Sequence, residues 1–348
     1  MKTIDLRSDT VTQPTPEMRE AMFKAEVGDD VYGEDPTMNR LQEMAAQRMG
    51  KDEGLFVSSG TMGNLIAVLA QCQRGDEVIM GDLGHTFLFE AGGISALGGI
   101  FPHTLPNLAD GTLALETIRS AIQPDDVHHP ITRLIILENT HNRCGGVTLT
   151  QDYCAAVGSL AREHSLKVHL DGARIFNAAV ALSVTPKELA AFADAVTFCL
   201  SKGLAAPVGS VLCGDRAFIG RARRLRKMLG GGMRQAGILA AAGIVALEKM
   251  VDRLADDHRR ARELANRLSD LPEIAFDMGL PQTNMVFASL KPTVALDAAG
   301  FAKQLGQKGI RVGNVAERRV RMVTHYGIED EDISETITAI KEVLAQAN

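Results

Sequence analysis

Short apolar segments that alternate with helical stretches constrain the fold of this chain more than any other feature. They are too short to be helices and are bounded by polar or glycine-rich turns, which is typical of strands buried on both faces. Because strands and helices alternate, the pattern predicts crossover units, a mostly parallel sheet and helices on both of its faces. The segments are Gly54–Val57, Glu77–Met80, Leu134–Leu137, Val168–Leu170, Val196–Leu200 and Ser210–Cys213. Ligands of such a sheet are expected at the carboxyl ends of its strands.

The helices between these strands are marked by their first residues. Thr15 and Thr185 each precede a proline, and Glu188 follows three residues after the second threonine. A capping hydroxyl followed by a first-turn proline favours helix initiation, and the glutamate completes a capping box. From Arg234 to Leu271 the helical pattern contains no proline, so one long connecting helix is predicted there.

The length of the chain favours two domains. A single hydrophobic core rarely grows beyond roughly 250 to 300 residues, and this chain has 348. We therefore expect a large domain over residues 1–247 and a smaller α+β domain over residues 248–348. The elements expected in the smaller domain are the apolar runs Thr283–Leu290 and Arg319–Thr324 and the helical stretches Ala298–Lys308 and Asp332–Ala347.

Composition excludes several classes of protein. Lysine and arginine number 37 against 43 acidic residues, a net charge of −6, so a nucleic-acid partner is not expected. The five cysteines are never spaced as C-x-x-C, which argues against a disulfide framework or a zinc site and favours a reducing compartment. The charged segment Met1–Asp9 and the lack of an apolar run of ~18 residues predict no membrane span and a cytoplasmic protein.

Small residues follow the strand that ends at Val57. The sequence Ser59-Gly60-Thr61 lies between this strand and an apolar helical stretch, Leu65–Ala70. Free backbone N–H groups at such a helix N-terminus can bind a phosphate, and Thr61 can add a hydroxyl. A plain structural turn is the alternative. Neither the dinucleotide motif G-x-G-x-x-G nor the P-loop motif G-x-x-x-x-G-K-[ST] is present, which disfavours those ligands.

A carboxylate follows another buried strand, in the sequence His169-Leu170-Asp171-Gly172-Ala173-Arg174. Asp171 is expected at the carboxyl end of its strand. It could instead cap a helix, with Arg174 on the surface. Alternation along a strand places His169 and Asp171 on one face, so a metal pair is geometrically possible, but no third ligand stands nearby and no metal is expected.

A lysine, Lys202, follows the strand segment Val196–Leu200. Most lysines at strand ends are solvated, but the uncharged sequence Gly203–Gly209 after this one favours a desolvated pocket. Desolvation favours the neutral amine, which is a nucleophile. A phosphate cradle, a carboxylate and a lysine at neighbouring strand ends supply the three anchors that pyridoxal 5′-phosphate (PLP) needs: for its phosphate, its pyridine nitrogen and its aldehyde.

The chain resembles the threonine aldolases, fold-type-I PLP enzymes of the aspartate aminotransferase superfamily, over almost its whole length. The resemblance implies an α/β fold: a three-layer α/β/α large domain with a mostly parallel sheet, and a small α+β C-terminal domain. One departure is Ala205, where relatives often carry glycine. The motifs appear in the family's order, from Ile4–Thr10 through Val31–Pro36, Glu138–Asn142, His169–Arg174, Leu200–Leu204 and Gly230–Gln235 to Arg321–His325.

This resemblance assigns roles to residues. Lys202 is expected to form the Schiff base with PLP, and Asp171 to keep the pyridine nitrogen protonated. His85 resembles the histidine that stacks on the cofactor, and His128 resembles a second histidine near the substrate hydroxyl; with Lys202 and Asp171 they make up the expected catalytic set. The cofactor contacts implied by the resemblance are Ser59, Gly60, Thr61, His85, Asp171, Arg174, Lys202 and Arg234.

The resemblance also implies a small amino-acid substrate whose carboxylate is gripped by cations. Arginine suits this task because its planar fork meets a carboxylate bidentately. Arg234 and Tyr32 are expected to reach the site of a neighbouring chain, which implies a homo-oligomer, a tetramer built from two dimers. The substrate contacts implied are Ser8, Tyr32, His85, His128, Arg174 and Arg321.

The expected reaction is the reversible cleavage of L-threonine or L-allo-threonine to glycine and acetaldehyde. Related alternatives are a phenylserine-type aldolase and a β-eliminating lyase of the same superfamily. An alternative of another class is a PLP-free small-molecule-binding protein on the same scaffold. Aldehyde release from threonine and allo-threonine, compared with release of ammonia and a keto acid, separates the three PLP enzymes. The yellow colour of bound PLP separates them from the PLP-free binding protein.

Overall fold

The strands of this computed structural model, which describes residues 2–347, form one large and two smaller sheets. Among these residues, no helix is long and apolar enough to cross a membrane. In chain order the strands are β1 (Ile4–Asp5), β2 (Glu53–Val57), β3 (Glu77–Gly81), β4 (Phe101–Leu105), β5 (Thr132–Glu138), β6 (Lys167–Asp171), β7 (Ala195–Cys199), β8 (Ser210–Gly214), β9 (Ile274–Ala275), β10 (Met285–Leu290), β11 (Ile310–Arg311), β12 (Gly313–Ala316) and β13 (Arg319–Val323).

The large sheet has the order β2-β8-β7-β6-β5-β3-β4. Neighbours from β7 through β6, β5 and β3 to β4 are parallel, whereas β8 is antiparallel to both β2 and β7. The mostly parallel sheet predicted from the sequence is confirmed, and each of the six apolar segments forms a strand. The strands other than β8 therefore share one carboxyl edge.

Fourteen α-helices, counted over residues 2–347, cover both faces of this sheet and pack on the small C-terminal sheet described below. They are α1 (Pro16–Phe23), α2 (Pro36–Met49), α3 (Gly60–Gln71), α4 (His85–Leu88), α5 (Gly93–Ala96), α6 (Leu115–Ala121), α7 (Gln151–Glu163), α8 (Ile175–Leu182), α9 (Pro186–Ala190), α10 (Arg216–Met228), α11 (Gly237–Lys249), α12 (Leu254–Ser269), α13 (Ala298–Gln307) and α14 (Asp330–Ala347). The predicted starts of α1 and α9 are confirmed, with Thr15 and Thr185 as caps and a capping box in α9.

Alternate residues of one strand enter two different cores. In β5, Ile135 and Leu137 pack with α2, α7 and α11, whereas Leu134 and Ile136 pack with α3 and α5. Both sets are almost completely buried. A strand with apolar residues on both faces requires a layer of helices on each side, which gives the expected three-layer α/β/α architecture.

Two sequence expectations differ from the structure. Strand β4 was not predicted, because it contains Pro102 and half-exposed polar residues; such a strand is tolerated at the sheet edge, where it pairs only with β3. The single helix expected over Arg234–Leu271 is wrong: the chain forms α11 and α12, separated by a turn at 250–253. The turn lies where the largely buried α11, apolar except for its last two residues, gives way to the amphipathic α12.

The C-terminal part contains an antiparallel sheet of order β12-β13-β10-β9, covered by α12, α13 and α14. The N-terminal segment also belongs to this core, since β1 pairs in parallel with β11 and Ile4 and Leu6 are buried among its residues. The expected small α+β unit is present. The division at residues 247 and 248 stays a prediction, and the N-terminal segment spans both parts.

Candidate active site

The residues singled out in the sequence meet at the carboxyl edge of the large sheet. Ser59 follows β2, His85 follows β3, Asp171 ends β6 and Lys202 follows β7. A pocket at this edge is lined by Lys202, His85 and Arg174 together with Ser8 and Arg321. The parallel order of the strands brings these side chains together although they are far apart in the chain.

The N-terminus of α3 offers free donors at this edge. The Ser59 hydroxyl accepts the Met62 N–H at 3.1 Å, which caps the helix. The backbone N–H groups of Gly60 and Thr61 have no partner within the helix, because the first turn has no preceding carbonyls. A Cβ at Gly63 would lie 2.6 Å from Thr197, so glycine is required for α3 to pack this closely on the strand ends. The result is a cradle suited to a phosphate.

Asp171 is buried and held in one orientation. One of its oxygens accepts the Asn64 side-chain amide at 2.8 Å, and the other accepts the Ala173 N–H at 3.1 Å. The Oδ1 atom of Asn64 lies 3.0 Å from Nε2 of His169. Burial lowers the pKa of His169 to about 4, so this ring is neutral and donates from Nε2. No cation of the described chain pairs directly with Asp171, which leaves it available to a bound cation or protonated nitrogen.

His85 forms a pair with Glu90, a residue that the sequence did not single out. Nδ1 of His85 lies 2.9 Å from the buried carboxylate of Glu90. The hydrogen bond with Glu90 raises the pKa of His85, and burial partly offsets this rise. Burial raises the pKa of Glu90, against the effect of the same hydrogen bond. The backbone N–H of His85 donates to Glu138 at 2.7 Å, which fixes the start of α4.

A cation could in principle lie among His85, Glu90 and Asp171. Each offers one ligand atom, and these atoms lie within 4.8 Å of one another. The Asn64 amide, however, already donates to both carboxylates, at 2.8 Å in each case. Hydrogen bonds thus hold the two acidic groups together without an ion. This group of possible ligands differs from the His169 and Asp171 pair considered from the sequence, because the ring of His169 faces Asn64.

The loop that carries Lys202 is fixed through its backbone. The Lys202 carbonyl accepts the Thr12 hydroxyl at 3.0 Å and the Ala205 N–H at 2.9 Å. Ala205 has φ of +61° and is fully buried. A left-handed backbone costs an L-residue roughly 1–2 kcal/mol, so this alanine is strained here. The loop nevertheless holds Lys202 half-buried at the pocket.

Arg174 is held by Asp9, a residue of the motif Ile4–Thr10 whose role the sequence does not indicate. Nε and Nη2 of Arg174 donate to the two oxygens of Asp9 at 2.7 and 2.6 Å, and both side chains are buried. Burial alone would raise the pKa of Asp9, but Arg174 holds it well below its usual range. Arg321 donates to Asn142 at 2.9 Å and to the Arg7 carbonyl at 3.0 Å. These hydrogen bonds fix the orientation of both arginine side chains at the pocket.

Removal of the charge of Asp9 should destabilise the protein strongly. In Asp9→Asn the buried Arg174 loses its counter-ion, which typically costs about 3–5 kcal/mol in the free energy of unfolding. Urea unfolding at fixed protein concentration measures this loss. Asp5→Asn is the matched control, because Asp5 also pairs bidentately with an arginine, Arg7, but at the surface. It should cost less than about 1 kcal/mol; equal losses would contradict the role of Asp9.

Seven sequence-predicted residues are absent from the lining of this pocket. Ser59, Gly60, Thr61 and Asp171 nevertheless lie at the same edge of the sheet, whereas the other three follow no strand of it. The His128 side chain is 82% exposed and bonds to Asp126 at 2.6 Å. Tyr32 is 74% exposed. Arg234 pairs with Asp29 at 2.9 Å. Their roles stay predictions. Ser8, in contrast, lines the pocket and accepts the Thr10 N–H at 3.2 Å.

Known proteins resemble this chain over its whole length. Residues 5–291 match the family described as beta-eliminating lyase. The low specificity L-threonine aldolase of Escherichia coli K12 is 46% identical over 343 residues, 99% of this chain and 100% of that protein. Low-specificity L-threonine aldolase 1 of Arabidopsis thaliana is 47% identical over 347 residues, 99% of this chain and 97% of that protein.

A solved structure shares the fold. The threonine aldolase of Leishmania major superposes with a TM-score of 0.85 at 22% identity, covering 98% of this chain and 99% of that one. The pocket therefore lies in the same type of architecture as a known aldolase. By sequence identity and coverage, the chain belongs to the family of the low-specificity L-threonine aldolases, within the beta-eliminating lyases.

Proposed function

We propose that this protein is a PLP-dependent aldolase that cleaves L-threonine and L-allo-threonine reversibly to glycine and acetaldehyde. The observation that carries the proposal is that Lys202, Asp171 and the N-terminus of α3 all lie at the carboxyl edge of the large sheet. Arg174 and Arg321 line the pocket at this edge together with Lys202. The family to which the chain belongs supports the same reaction.

The residues present fit PLP. The free N–H groups of α3, with Ser59 and Thr61, suit its phosphate, and Asp171 has no cation to pair with among residues 2–347. Lys202 would hold the aldehyde carbon as a Schiff base, and His85 would lie against the ring. When bound, this cofactor withdraws electrons from the amino acid's Cα and so weakens the bonds at that carbon.

The substrate carboxylate has a prepared partner in Arg321. Its Nε atom is buried and lacks an acceptor among the described residues, although its other nitrogens bond to Asn142 and Arg7. An unpaired buried donor is costly, and a carboxylate oxygen would satisfy it. Arg174 and Ser8 complete the grip. A fixed carboxylate orients the substrate so that its Cα–Cβ bond is the one that breaks.

The base could be His85, His128, a water or the cofactor phosphate, and of the two histidines His85 is the better placed. It lines the pocket with Lys202, whereas His128 does not do so within this chain. In the cleavage direction, a base removes the proton of the β-hydroxyl as the Cα–Cβ bond breaks and acetaldehyde leaves. A proton then added at Cα gives glycine. His128 would act only if it reached the site of another chain.

We also propose that the protein is a homotetramer built from two dimers and that it works in the cytoplasm. Tyr32, His128 and Arg234 would then contribute to a neighbouring chain's site, with Arg234 at the cofactor phosphate. Exposed apolar side chains accompany these segments: Phe23 is 90%, Val127 97% and Met228 77% exposed. A neighbouring chain that covered these segments would bury this apolar surface.

An assay with all four threonine stereoisomers tests the function. We expect acetaldehyde and glycine from L-threonine and L-allo-threonine and none from the D-isomers. Release of ammonia and a keto acid would instead identify a β-eliminating lyase, and faster cleavage of phenylserine would identify a phenylserine-type aldolase. Protein that shows neither activity nor bound PLP would contradict the proposal.

A further inference from the structure

Glu90 is a buried carboxylate at the pocket to which the proposed function gives no role. Its Oε1 atom accepts the Asn64 amide at 2.8 Å and faces Nδ1 of His85 at 2.9 Å. Its side chain is 3% exposed, and Oε2 has no partner among the described residues. A buried carboxylate is costly unless it is paired, so its retention here requires an explanation.

The hydrogen positions in this cluster follow from the chemistry of its members. Carboxylates only accept, so the Asn64 nitrogen must face Glu90 and Asp171, and its oxygen must face His169. By the same argument, His85 must carry its proton on Nδ1 to bond to Glu90. When His85 is neutral, Nε2 is therefore its unprotonated nitrogen.

We propose that Glu90 is a positioning residue that holds His85 by Nδ1 and so presents the basic Nε2 atom to the pocket, while Asn64 ties this pair to Asp171. The inference rests on the proposed function, since it concerns how His85 acts in that reaction. Glu90 does not touch the pocket itself. It acts through His85, as a carboxylate does when it fixes the tautomer and orientation of a catalytic histidine.

The charges around His85 indicate what Glu90 adds beyond orientation. Glu90 and Asp171 favour the protonated ring, whereas Lys202 disfavours it. Glu138 approaches the backbone N–H of His85 rather than its ring. The hydrogen bond to Glu90 is the largest of these effects and raises the pKa of His85. A stronger base at Nε2 removes a hydroxyl proton more readily.

The substitution Glu90→Gln separates the effect of the negative charge of Glu90 from the effect of its hydrogen bonds. Glutamine can still accept from Nδ1 and from Asn64 through its oxygen, so the cluster can keep its geometry while the negative charge is lost. We expect the pKa of His85 to fall by about one unit, because an adjacent opposite charge shifts a pKa by roughly 1–3 units. NMR of histidine-labelled holoenzyme, with the signal assigned through His85→Gln, measures this pKa and the tautomer. The acid limb of kcat/KM should move to lower pH by the same amount.

The plateau kcat of Glu90→Gln should fall about tenfold while KM for threonine changes less than twofold, because the weaker base slows proton removal but leaves the carboxylate grip intact. Glu163→Gln is the matched control: Glu163 also lies near a histidine, His164, but at the surface, and it should shift neither the pKa of His85 nor the pH profile. An unchanged thermal unfolding midpoint in Glu90→Gln separates these effects from misfolding.

An unchanged pKa of His85 in Glu90→Gln, or a proton found on Nε2 in the neutral ring, would overturn the inference. These results are independent of failure of the proposed function, which would appear as wild-type protein that does not cleave threonine. Wild-type cleavage with an unshifted His85 pKa refutes the role of Glu90 alone. A shifted pKa in a protein without aldolase activity would support the pairing but remove the proposed function on which the catalytic inference rests.

Discussion

Lys202→Ala should lose turnover of threonine by roughly four orders of magnitude or more while it keeps its fold, because removal of a covalent-bonding residue is among the most costly changes in an active site. No other lysine lines the pocket among the described residues. The remaining anchors at α3 and Asp171 would still bind the cofactor without a covalent bond. Single-turnover and steady-state assays measure the loss, and circular dichroism measures the fold.

The control for this prediction is Lys167→Ala. Lys167 also lies at a strand end, but its side chain is exposed and pairs with Asp194 at 2.7 Å, so its removal should leave kcat near the wild-type value. Borohydride reduction of wild-type holoenzyme should fix the cofactor on the peptide that contains Lys202. Multiple turnovers by Lys202→Ala, or an adduct on another peptide, would refute the assignment.

The large sheet was predictable because buried parallel strands leave a continuous apolar run in the sequence. The run at 134–137 enters two cores at once, and only a strand with helices on both faces does so. Strand β4 leaves no such run, because as an edge strand it needs neither a donor at Pro102 nor apolar residues on both faces. The break between α11 and α12 depends on packing, which helical propensity does not encode.

The candidate site was predictable where the chemistry is local in the chain. Lys202 and Asp171 each follow a buried strand, so a topological rule places them at one edge. The contacts that hold the site are not local. Asp9 meets Arg174 across 165 residues, and Asn64 meets Asp171 across 107 residues. No periodicity or spacing encodes such pairs, because they depend on how separate elements pack in three dimensions.

Glu90 illustrates the same limit at short range. It lies five residues after His85, but the short helix α4 and the turn after it bring their side chains together in a way that helical spacing does not predict. The roles predicted for His128, Tyr32 and Arg234 would require contacts with a neighbouring chain. Their predicted roles can be tested only in the assembled protein.

Asp171→Asn should retain the cofactor but cleave threonine roughly two to three orders of magnitude more slowly, the typical cost of losing one preorganised electrostatic partner. Asp171 is oriented by Asn64 and by the Ala173 N–H, and an asparagine oxygen can keep one of these bonds. It lacks the negative charge that holds a proton on the pyridine nitrogen, so electron withdrawal from Cα weakens. Absorbance of the bound cofactor and kcat for L-allo-threonine measure retention and rate. Asp194→Asn is the control and should keep its kcat, because Asp194 precedes β7 and accepts the Val168 N–H at the start of β6, the end opposite Asp171. A near-normal rate in Asp171→Asn would show that the proton on that nitrogen does not depend on this carboxylate.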